Sequence, residues 1–302
     1  MKKVICFGEV LWDNLPTGRK AGGAPMNVAY HLRKMGIDAS MISCIGADAS
    51  GAELLDFTKQ IGLPGHLIQT SQAQETSEVI ARIEEGNEVV YDILCPVAWD
   101  FIEWKPEHEK LLKEADAFVF GSLAARNEVT RKTLFKMLEH SSFNVFDVNL
   151  RAPHYDFAVI EQLLHKTHLL KLNEAELMLL AEWFSCPQEE DKAIKLIQEK
   201  FGIKDIIVTK GSRGASFNGI QLRYDYPVYP VEVADTVGSG DSFLAGFLAK
   251  RLQGECLEVC LDYASALAAF ITTHSGACPP YSLYDFERFV WKKKRPVEAI
   301  AV

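Results

Sequence analysis

The sequence predicts an α/β protein with a mostly parallel central sheet that is covered by helices on both faces. Short β-branched runs alternate with amphipathic helical stretches almost throughout the chain, which is the pattern of βαβ units. The 302 residues are 48% hydrophobic, enough to bury a large core. Because no repeat or convincing linker interrupts the pattern, we expect one domain spanning residues 1–302.

Six runs are predicted as strands of this sheet. In chain order they are KVICFG (3–8), ASMISCIG (39–46), AFVFGS (117–122), NVFDVNL (144–150), HLLKL (168–172) and DIIVTKG (205–211). A helical pattern is expected after each run, the first from about Met26 and the second through ELLDFTKQ (53–60). Ligands of such sheets bind beyond the carboxyl ends of the strands.

Two segments break this alternation. Residues 76–92 contain strand-like patches around Glu85, Gly86 and Asn87, which predicts a hairpin outside any βαβ unit. Together with residues 11–22 it would form a small sheet, either a lid over a ligand or an edge hairpin without function. A second hairpin is expected at Asn218 and Gly219, near the end of the main sheet.

Composition excludes several classes of protein. The formal net charge is −9 and the basic residues are scattered, so nucleic acid is not an expected partner. The longest apolar runs, such as 266–271, are too short to span a membrane, and Glu9 interrupts the only apolar run near the start. Seven cysteines lack the spacing of a disulfide framework or a zinc site, so we expect a cytoplasmic protein with free thiols.

The stretch DTVGSGDS (235–242) precedes the apolar helical pattern FLAGFLAKRL. The first backbone N–H groups of a helix lack partners and carry partial positive charge. Gly238 and Gly240 have no Cβ, so a ligand can approach those groups closely. Asp241 falls in the first turn, where its carboxylate can stay ionised and face a bound anion.

An anion cradle beside a carboxylate suits phosphoryl transfer, because the amides stabilise the transferring group and the carboxylate accepts the proton of the attacking hydroxyl. The alternative is that Asp241 only interacts with the helix dipole and the glycines only form a turn. A nucleophile elbow, a dinucleotide fingerprint and a Walker A loop are each excluded, because the glycine, serine and lysine positions they require are not met.

Two stretches resemble signatures of the ribokinase-type (PfkB) carbohydrate kinases. DTVGSGDSFLAGFL resembles the C-terminal DTxGxGD signature, and AGGAPMNVAYHLRKMG resembles the N-terminal signature of the fructokinase branch. The likeness covers essentially the whole chain. It implies a ribokinase-like fold and an ATP-dependent sugar kinase that uses Mg²⁺ and, in many relatives, K⁺.

The resemblance also implies roles for individual residues on the phosphate side. Asp241 corresponds to the general base, and the amides of Gly238, Ser239 and Gly240 to the hole around the phosphoryl group. Asn173 and Glu176 match the NxxE motif that helps to hold Mg²⁺, largely through water. The remaining implied positions are Thr209, Lys210, Gly211 and Gly214 at the ATP site, and Asp235 and Thr236 at a monovalent cation site.

On the sugar side the resemblance implies that Asp13, Gly22, Gly23 and Asn27 bind substrate hydroxyls. Arg151 ends a DVNLR element that is similar to one in fructokinases and 2-keto-3-deoxygluconate kinases. It is interpreted as a contact to phosphate or an acidic substrate, or else as a surface arginine.

The expected activity is phosphorylation of the primary hydroxyl of a ketohexose, with fructose first. Ser122 lies near the place where ribokinases usually carry a glutamate, which disfavours ribose. A 2-keto-3-deoxygluconate, nucleoside or sugar phosphate kinase and an inactive sugar- or nucleotide-binding regulator remain the alternatives. A homodimer through the lid is also expected, because the small sheet would otherwise expose an edge and an apolar face.

Overall fold

The computed structural model describes residues 1–15, 18–83 and 89–294. Nine strands form the main sheet. Numbered along the chain, they are β1 (Lys3–Phe7), β4 (Asp38–Gly46), β5 (Ile68–Ser71), β8 (Ala117–Gly121), β9 (Asn144–Asp147), β10 (Leu169–Asn173), β11 (Asp205–Thr209), β12 (Ala215–Asn218) and β13 (Arg223–Tyr226). Their order across the sheet is β13-β12-β11-β10-β9-β8-β1-β4-β5.

Neighbouring strands from β5 through β11 are parallel, and β12 and β13 add an antiparallel edge. The predicted mostly parallel sheet is therefore confirmed. The expectation that DIIVTKG is followed by a helix is wrong, because β11 turns back into the hairpin β12–β13.

The Asn218–Gly219 hairpin exists, but its loop takes up residues 219–222, with the Gly219 N–H donating to Leu222 O. Residues 220–222 therefore lie in the loop and not in the returning strand.

The α-helices lie on both faces of the sheet. They are α1 (Ala24–Lys34), α2 (Ala49–Gln60), α3 (Pro106–Glu114), α4 (Glu128–His140), α5 (Phe157–Leu164), α6 (Glu174–Trp183), α7 (Glu190–Phe201), α8 (Ser239–Leu252), α9 (Leu257–Thr272) and α10 (Leu283–Lys294). The side chains of β1 alternate between two cores. Val4 and Cys6 join the core with α1, α8, α9 and α10, while Ile5 and Phe7 join the core with α3 to α7.

A separate four-stranded sheet has the order β3-β2-β6-β7, with β2 (Leu11–Leu15), β3 (Gly18–Gly22), β6 (Glu78–Ile83) and β7 (Val89–Ile93). The prediction of a small sheet from residues 11–22 and 76–92 is confirmed, although Glu85, Gly86 and Asn87 lie outside the described residues. Trp12 and Arg19 attach this sheet to α2: Trp12 Nε1 donates to Ser50 O at 3.0 Å, and Arg19 pairs with Glu53 at 2.9 Å.

None of the helices in the described ranges is both long enough and apolar enough to span a membrane.

Candidate active site

The start of α8 faces a cleft at the carboxyl ends of the central strands. Gly238 caps this helix with a φ of 76°, in the left-handed region, and a Cβ added there would lie 2.6 Å from Ala277 Cβ. Glycine is therefore required both by the backbone conformation and by the close approach of residue 277. The first N–H groups of a helix have no intrahelical partner, so backbone donors remain at the start of α8, although the Ser239 N–H donates to Thr236 O at 3.2 Å.

Asp241 lies in the first turn of α8, as predicted, and contacts α1. The Asn27 Nδ2 group donates a hydrogen bond to Asp241 Oδ2 at 2.7 Å, and Asn27 is only 4% exposed. Burial and the charge of Asp147 raise the pKa of Asp241 to about 6, although Lys171, Asn27 and Arg151 act in the opposite direction. The carboxylate is thus largely ionised at neutral pH while lying close to the range where it can accept a proton.

A buried ion pair lies next to the anion cradle, which is the turn formed by residues 238–240. Lys171 Nζ on β10 lies 2.8 Å from both carboxylate oxygens of Asp147 on β9. A Cβ added to Gly240 would lie 3.3 Å from the same nitrogen, so the ammonium group directly adjoins the cradle. Burial lowers the pKa of Lys171, but Asp147, Asp241 and Glu176 together raise it, and the net shift is upward.

Lys171 and Asp147 were not among the site residues predicted from the sequence. The available signal was a lysine inside the apolar strand LLKLN and an aspartate at the end of NVFD. Charged residues in strands that are buried on both faces need a partner, and two adjacent parallel strands supply one.

The small sheet places Asp13 against the glycine pair of the N-terminal motif. A Cβ added to Gly22 would lie 2.5 Å from Asp13 Oδ2, so the missing side chain leaves room for this carboxylate. Gly23 has a φ of 120° and caps α1, next to Glu9 O. Burial raises the pKa of Asp13 to about 6, and the charge of Arg151 opposes this shift. Gly22 and Gly23 therefore connect the small sheet to α1, with Asp13 directly beside Gly22.

Glu9 is a further carboxyl group that the sequence analysis did not assign. It is 2% exposed, its Oε1 accepts the Ala24 N–H at 3.2 Å, and its Oε2 has no hydrogen-bond partner within the described ranges. Burial raises its pKa to about 7. The protonated form, which donates a hydrogen bond, is therefore accessible near neutral pH.

Arg151 follows β9 and is exposed, with Nη1 donating to Leu150 O at 3.2 Å. Its charge lowers the pKa of Asp13, Glu9 and Asp241 alike, which places the guanidinium within electrostatic range of all three acids.

A cavity of about 550 Å³ opens on the other side of the cradle. Of the predicted phosphate and nucleotide residues, it is lined by Asn173, Thr209, Gly211, Gly214, Thr236, Ser239 and Gly240. Lys210 does not line it, because its ammonium group pairs with Glu190 on α7 at 2.6 Å. Residues 228–231, Ala268 and Ala269 form an apolar wall that the sequence analysis did not identify. A polar floor with an apolar wall suits a nucleotide.

Asn173 and Glu176 form a reciprocal cap at the start of α6. Asn173 Oδ1 accepts the Glu176 N–H, and Glu176 Oε2 accepts the Asn173 N–H. Glu176 Oε1 also accepts the Leu150 N–H at 2.8 Å, which ties α6 to the loop that carries Arg151. Each oxygen keeps one lone pair, so the residue fits contact with a metal through water better than direct ligation. No cluster of three or more acidic, histidine or cysteine side chains suited to a metal occurs in the described ranges.

Asp235 joins two loops beside the cradle. Its Oδ1 accepts the Val237 N–H at 3.0 Å, and its Oδ2 accepts the Gly276 N–H at 2.9 Å. The exposed Thr236 contributes its carbonyl oxygen, which accepts the Ser239 N–H. These contacts hold the cradle against residues 276 and 277.

The arrangement combines a nucleotide-sized cavity, an anion cradle, a carboxylate in the first turn of the same helix and a hydrogen bond from Asn27 on α1 to that carboxylate. Such a site can hold a phosphoryl donor and a hydroxyl acceptor on either side of Asp241.

Two curated proteins resemble the chain over most of its length. A probable fructokinase-5 of Arabidopsis thaliana is 26% identical over 305 residues, covering 91% of this chain and 93% of that protein. A fructokinase of Salmonella typhimurium is 26% identical over 303 residues, covering 91% and 94%.

Solved structures show the same fold at lower identity. A fructokinase with bound ATP from Xylella fastidiosa superposes with a TM-score of 0.85 at 20% identity, covering 97% of this chain and 99% of that one. A fructokinase from Vibrio cholerae O395 bound to fructose, ADP and calcium gives 0.81 at 21% identity, covering 96% and 99%. The fold is therefore ribokinase-like.

The sequence pattern of the pfkB family of carbohydrate kinases matches residues 3–282, a range that includes the cradle, Asp241, Asn27 and the residues that line the cavity. Together with the fold and the arrangement of these residues, this match shows that the chain belongs to the pfkB family of carbohydrate kinases.

Proposed function

We propose that this kinase transfers the γ-phosphoryl group of ATP to the primary hydroxyl of a neutral ketohexose, with fructose as the substrate. The observation that carries the proposal is the position of Asp241, which follows Gly240 at the nucleotide-sized cavity and accepts a hydrogen bond from Asn27 of the N-terminal motif. A hydroxyl group placed there can give its proton to Asp241 as its oxygen attacks the γ-phosphorus, and ADP leaves on the cavity side.

The phosphate side is held by main-chain and cationic groups. In this proposal the N–H groups of Gly238, Ser239 and Gly240 stabilise the charge on the transferring phosphoryl group, with the Ser239 N–H shared with Thr236 O. Lys171, which is paired with Asp147, is the cation next to Gly240. Thr209, Gly211 and Gly214 contact the nucleotide from the sheet. Lys210 contributes through its main chain, because its ammonium group is paired with Glu190.

Mg²⁺ bound with the nucleotide neutralises the phosphate charge. Asn173 and Glu176 are the residues of this chain that would hold it, through water, given the lone pair left on each Glu176 oxygen. A K⁺ ion would lie at Asp235 and Thr236, whose contacts already order the loop before the cradle.

The charges of the sugar wall favour a neutral substrate over an acidic one. The charge of Arg151 acts on Asp13 and Asp241, and it also acts on Glu9, whose raised pKa of about 7 leaves it partly protonated near neutral pH. With the ionised Asp13 and Asp241 near one exposed guanidinium, a bound carboxylate or phosphate would meet a surplus of negative charge. Carboxylates at this depth instead suit hydroxyl donors.

Arg151 nevertheless supports a second candidate, 2-keto-3-deoxygluconate. Its guanidinium is exposed at the cleft, and its one hydrogen bond in the described residues goes to the adjacent Leu150 carbonyl. It therefore has donors left to bind a carboxylate in a bidentate manner. An inactive regulator is disfavoured, since a protein that only binds sugar has no need for a base at the mouth of an anion cradle.

Residues 1–302 form one kinase domain in this proposal, and the small sheet made by residues 11–22 and 76–92 closes as a lid when both substrates bind. The support is that Lys20 reaches the cradle region from this sheet, because its ammonium group donates to the Ser275 hydroxyl, one residue from Gly276. Closure keeps water away from the phosphoryl group.

The proposal is tested by ADP release on a panel of fructose, 2-keto-3-deoxygluconate, a nucleoside and fructose 6-phosphate, with and without Mg²⁺ and K⁺. We expect the highest kcat/KM for fructose. The Arg151→Ala variant separates the two candidates, because it should lower kcat/KM for the acidic sugar much more than for fructose. A preference for 2-keto-3-deoxygluconate in the parent enzyme would overturn the neutral-substrate assignment, and no turnover of any sugar would favour the regulator.

We also propose a homodimer that pairs the small sheets. Within the described residues β7 hydrogen-bonds to β6 alone, so one edge of this sheet is available for pairing. Sedimentation as a monomer at micromolar concentration would contradict the proposal.

A further inference from the structure

Cys278, Asn27 and Asp241 form a continuous hydrogen-bonded chain across three segments of the fold. Cys278 Sγ lies 3.2 Å from Asn27 Oδ1, and Asn27 Nδ2 lies 2.7 Å from Asp241 Oδ2. The thiol comes from the loop after α9, the amide from α1 and the carboxylate from α8. Only the last two residues were assigned to the site from the sequence.

The chemistry of Asp241 and Cys278 determines which atom donates and which accepts in each of these two hydrogen bonds. An ionised carboxylate only accepts hydrogen bonds, so the Asn27 NH₂ group must face Asp241 and the amide oxygen must face the thiol. Cys278 can donate to that oxygen only as S–H. Burial, together with the charge of Asp241, raises the pKa of Cys278 well above its usual range, so the thiol stays protonated.

The loop that carries Cys278 is fixed to α1 next to Asn27. Tyr30 OH donates to Pro279 O at 2.6 Å, and His31 Nε2 lies 2.9 Å from Ala277 O. Because a carbonyl oxygen only accepts, His31 Nε2 carries the proton, and burial lowers the pKa of this ring to about 4, so it stays neutral. The position of the thiol is therefore set by the fold and not by its contact with Asn27.

The Asn27 amide has little else to hold its oxygen. The residue is 4% exposed, and Cys278 is the hydrogen-bond partner of Asn27 Oδ1 within the described ranges. Without the thiol, this buried oxygen would lose its partner, and the amide would be free to rotate away from Asp241.

Resting on the proposed role of Asp241 as the base, we propose that Cys278 is a positioning residue whose S–H holds the Asn27 amide with its NH₂ group toward Asp241. The carboxylate is thereby oriented toward the substrate hydroxyl and kept as an acceptor. Four further charged groups act near this pair: Asp147 on β9, Lys171 on β10, Arg151 after β9 and Glu9 after β1. These four groups set the electrostatic potential around Asp241, whereas Cys278 acts on Asp241 through its hydrogen bond to Asn27.

The test compares Cys278→Ala, which removes the donor, with Cys278→Ser, which replaces S–H by O–H, each in the parent enzyme and in an Asn27→Ala background. We expect Cys278→Ala to lower kcat by about three- to tenfold and to move the acid limb of the pH profile upward, while Cys278→Ser restores most of both. In the Asn27→Ala background, Cys278→Ala should have no further effect. An effect of the same size in that background, or no effect in the parent enzyme, would overturn the proposal.

A measurement without turnover separates this inference from the proposed function. Carboxyl carbons of ¹³C-labelled aspartate are titrated by NMR without substrate, with Asp241→Asn assigning the signal. The inference predicts that Cys278→Ala raises the titration midpoint of Asp241 and Cys278→Ser does not, whichever sugar the enzyme uses. If Cys278→Ala fails to fold, Cys278→Val fills the space without a donor, and an unshifted Asp241 midpoint in that variant would refute the role of the thiol.

Discussion

Lys171 Nζ lies 2.8 Å from each carboxylate oxygen of Asp147, and both side chains are 7% exposed. Removing one member of such a pair leaves the other charge buried without compensation. We therefore expect Lys171→Met to lower the free energy of unfolding by about 3–5 kcal/mol. It should also reduce turnover, since the cradle loses its adjacent cation.

The control for this variant is the double substitution Lys171→Met with Asp147→Asn, which removes both charges. Chemical denaturation should show a smaller loss of stability in the double variant than in Lys171→Met. Equal losses in the two variants would mean that the packing of the lysine chain, and not the ion pair, is responsible.

Replacing the base should affect the chemical step and leave nucleotide binding intact. Asp241→Asn keeps the shape of the side chain and can still accept the Asn27 hydrogen bond, but it cannot take up the substrate proton. We expect turnover to fall by about 10²- to 10⁴-fold. ATP binding, measured by calorimetry, should change little. Turnover close to that of the parent enzyme would remove Asp241 from the mechanism.

The pH dependence of kcat/KM should have an acid limb near pH 6. Burial raises the pKa of Asp241 to about 6, and only the ionised form can accept a proton, so activity should be lost as the pH falls through this value. Asp13 has a similar pKa, and the Asp13→Asn variant therefore serves as the control. It should raise KM for the sugar but retain the limb. A flat profile down to pH 5 in the parent enzyme would contradict the assignment.

The same pKa predicts a conflict between function and stability. The pKa of Asp241 is higher in the folded state than the usual value of an aspartate, so ionisation costs the folded protein more than the unfolded chain. Its contribution to stability is complete below about pH 4 and is lost as the pH rises through about 6. Asp241→Asn should therefore be more stable than the parent enzyme at pH 8, by at most about 3 kcal/mol, with the difference vanishing near pH 4. Thermal unfolding over this pH range provides the measurement, and lower stability of the variant at pH 8 would contradict the prediction.

Gly238 and Gly254 form a matched pair for testing the cradle. Both have positive φ, at 76° and 85°, but an added Cβ meets Ala277 at residue 238 and nothing within 4 Å at residue 254. Gly254→Ala should cost about 1 kcal/mol of stability and leave turnover unchanged. Gly238→Ala should cost more, because of the added collision, and should also lower kcat. Equal effects of the two substitutions on turnover would argue that the cradle does not contact the phosphoryl group.

The parts of the site that the sequence revealed are those that local chemistry determines. The turn at Gly238 and Gly240 could be predicted from the sequence because a tight left-handed turn before a helix admits few other residues. Asn173 and Glu176 were assigned through the resemblance to the NxxE motif, and the structure shows that this spacing forms a helix cap between residues three positions apart. The hairpin after β11 was assigned in part to a helix, since DIIVTKG has the same pattern as the strands that do lead into helices.

The groups that the sequence did not reveal depend on contacts between distant segments. Lys171 and Asp147 lie on neighbouring strands, and their pairing follows from the strand order β9-β10. The hydrogen bond of Cys278 to Asn27 joins residues 251 positions apart. The pairing of Lys210 with Glu190 likewise depends on how α7 packs beside β11.

The sequence by itself determined the α/β architecture, the anion cradle with its carboxylate and the family, because periodicity, glycine positions and helix capping are properties of short segments. Only the tertiary structure determined the pKa of Asp241. Its pKa depends on burial and on Asp147, Lys171, Asn27 and Arg151, which come from separate segments of the chain and meet only when α1, α8 and the carboxyl ends of the strands pack together.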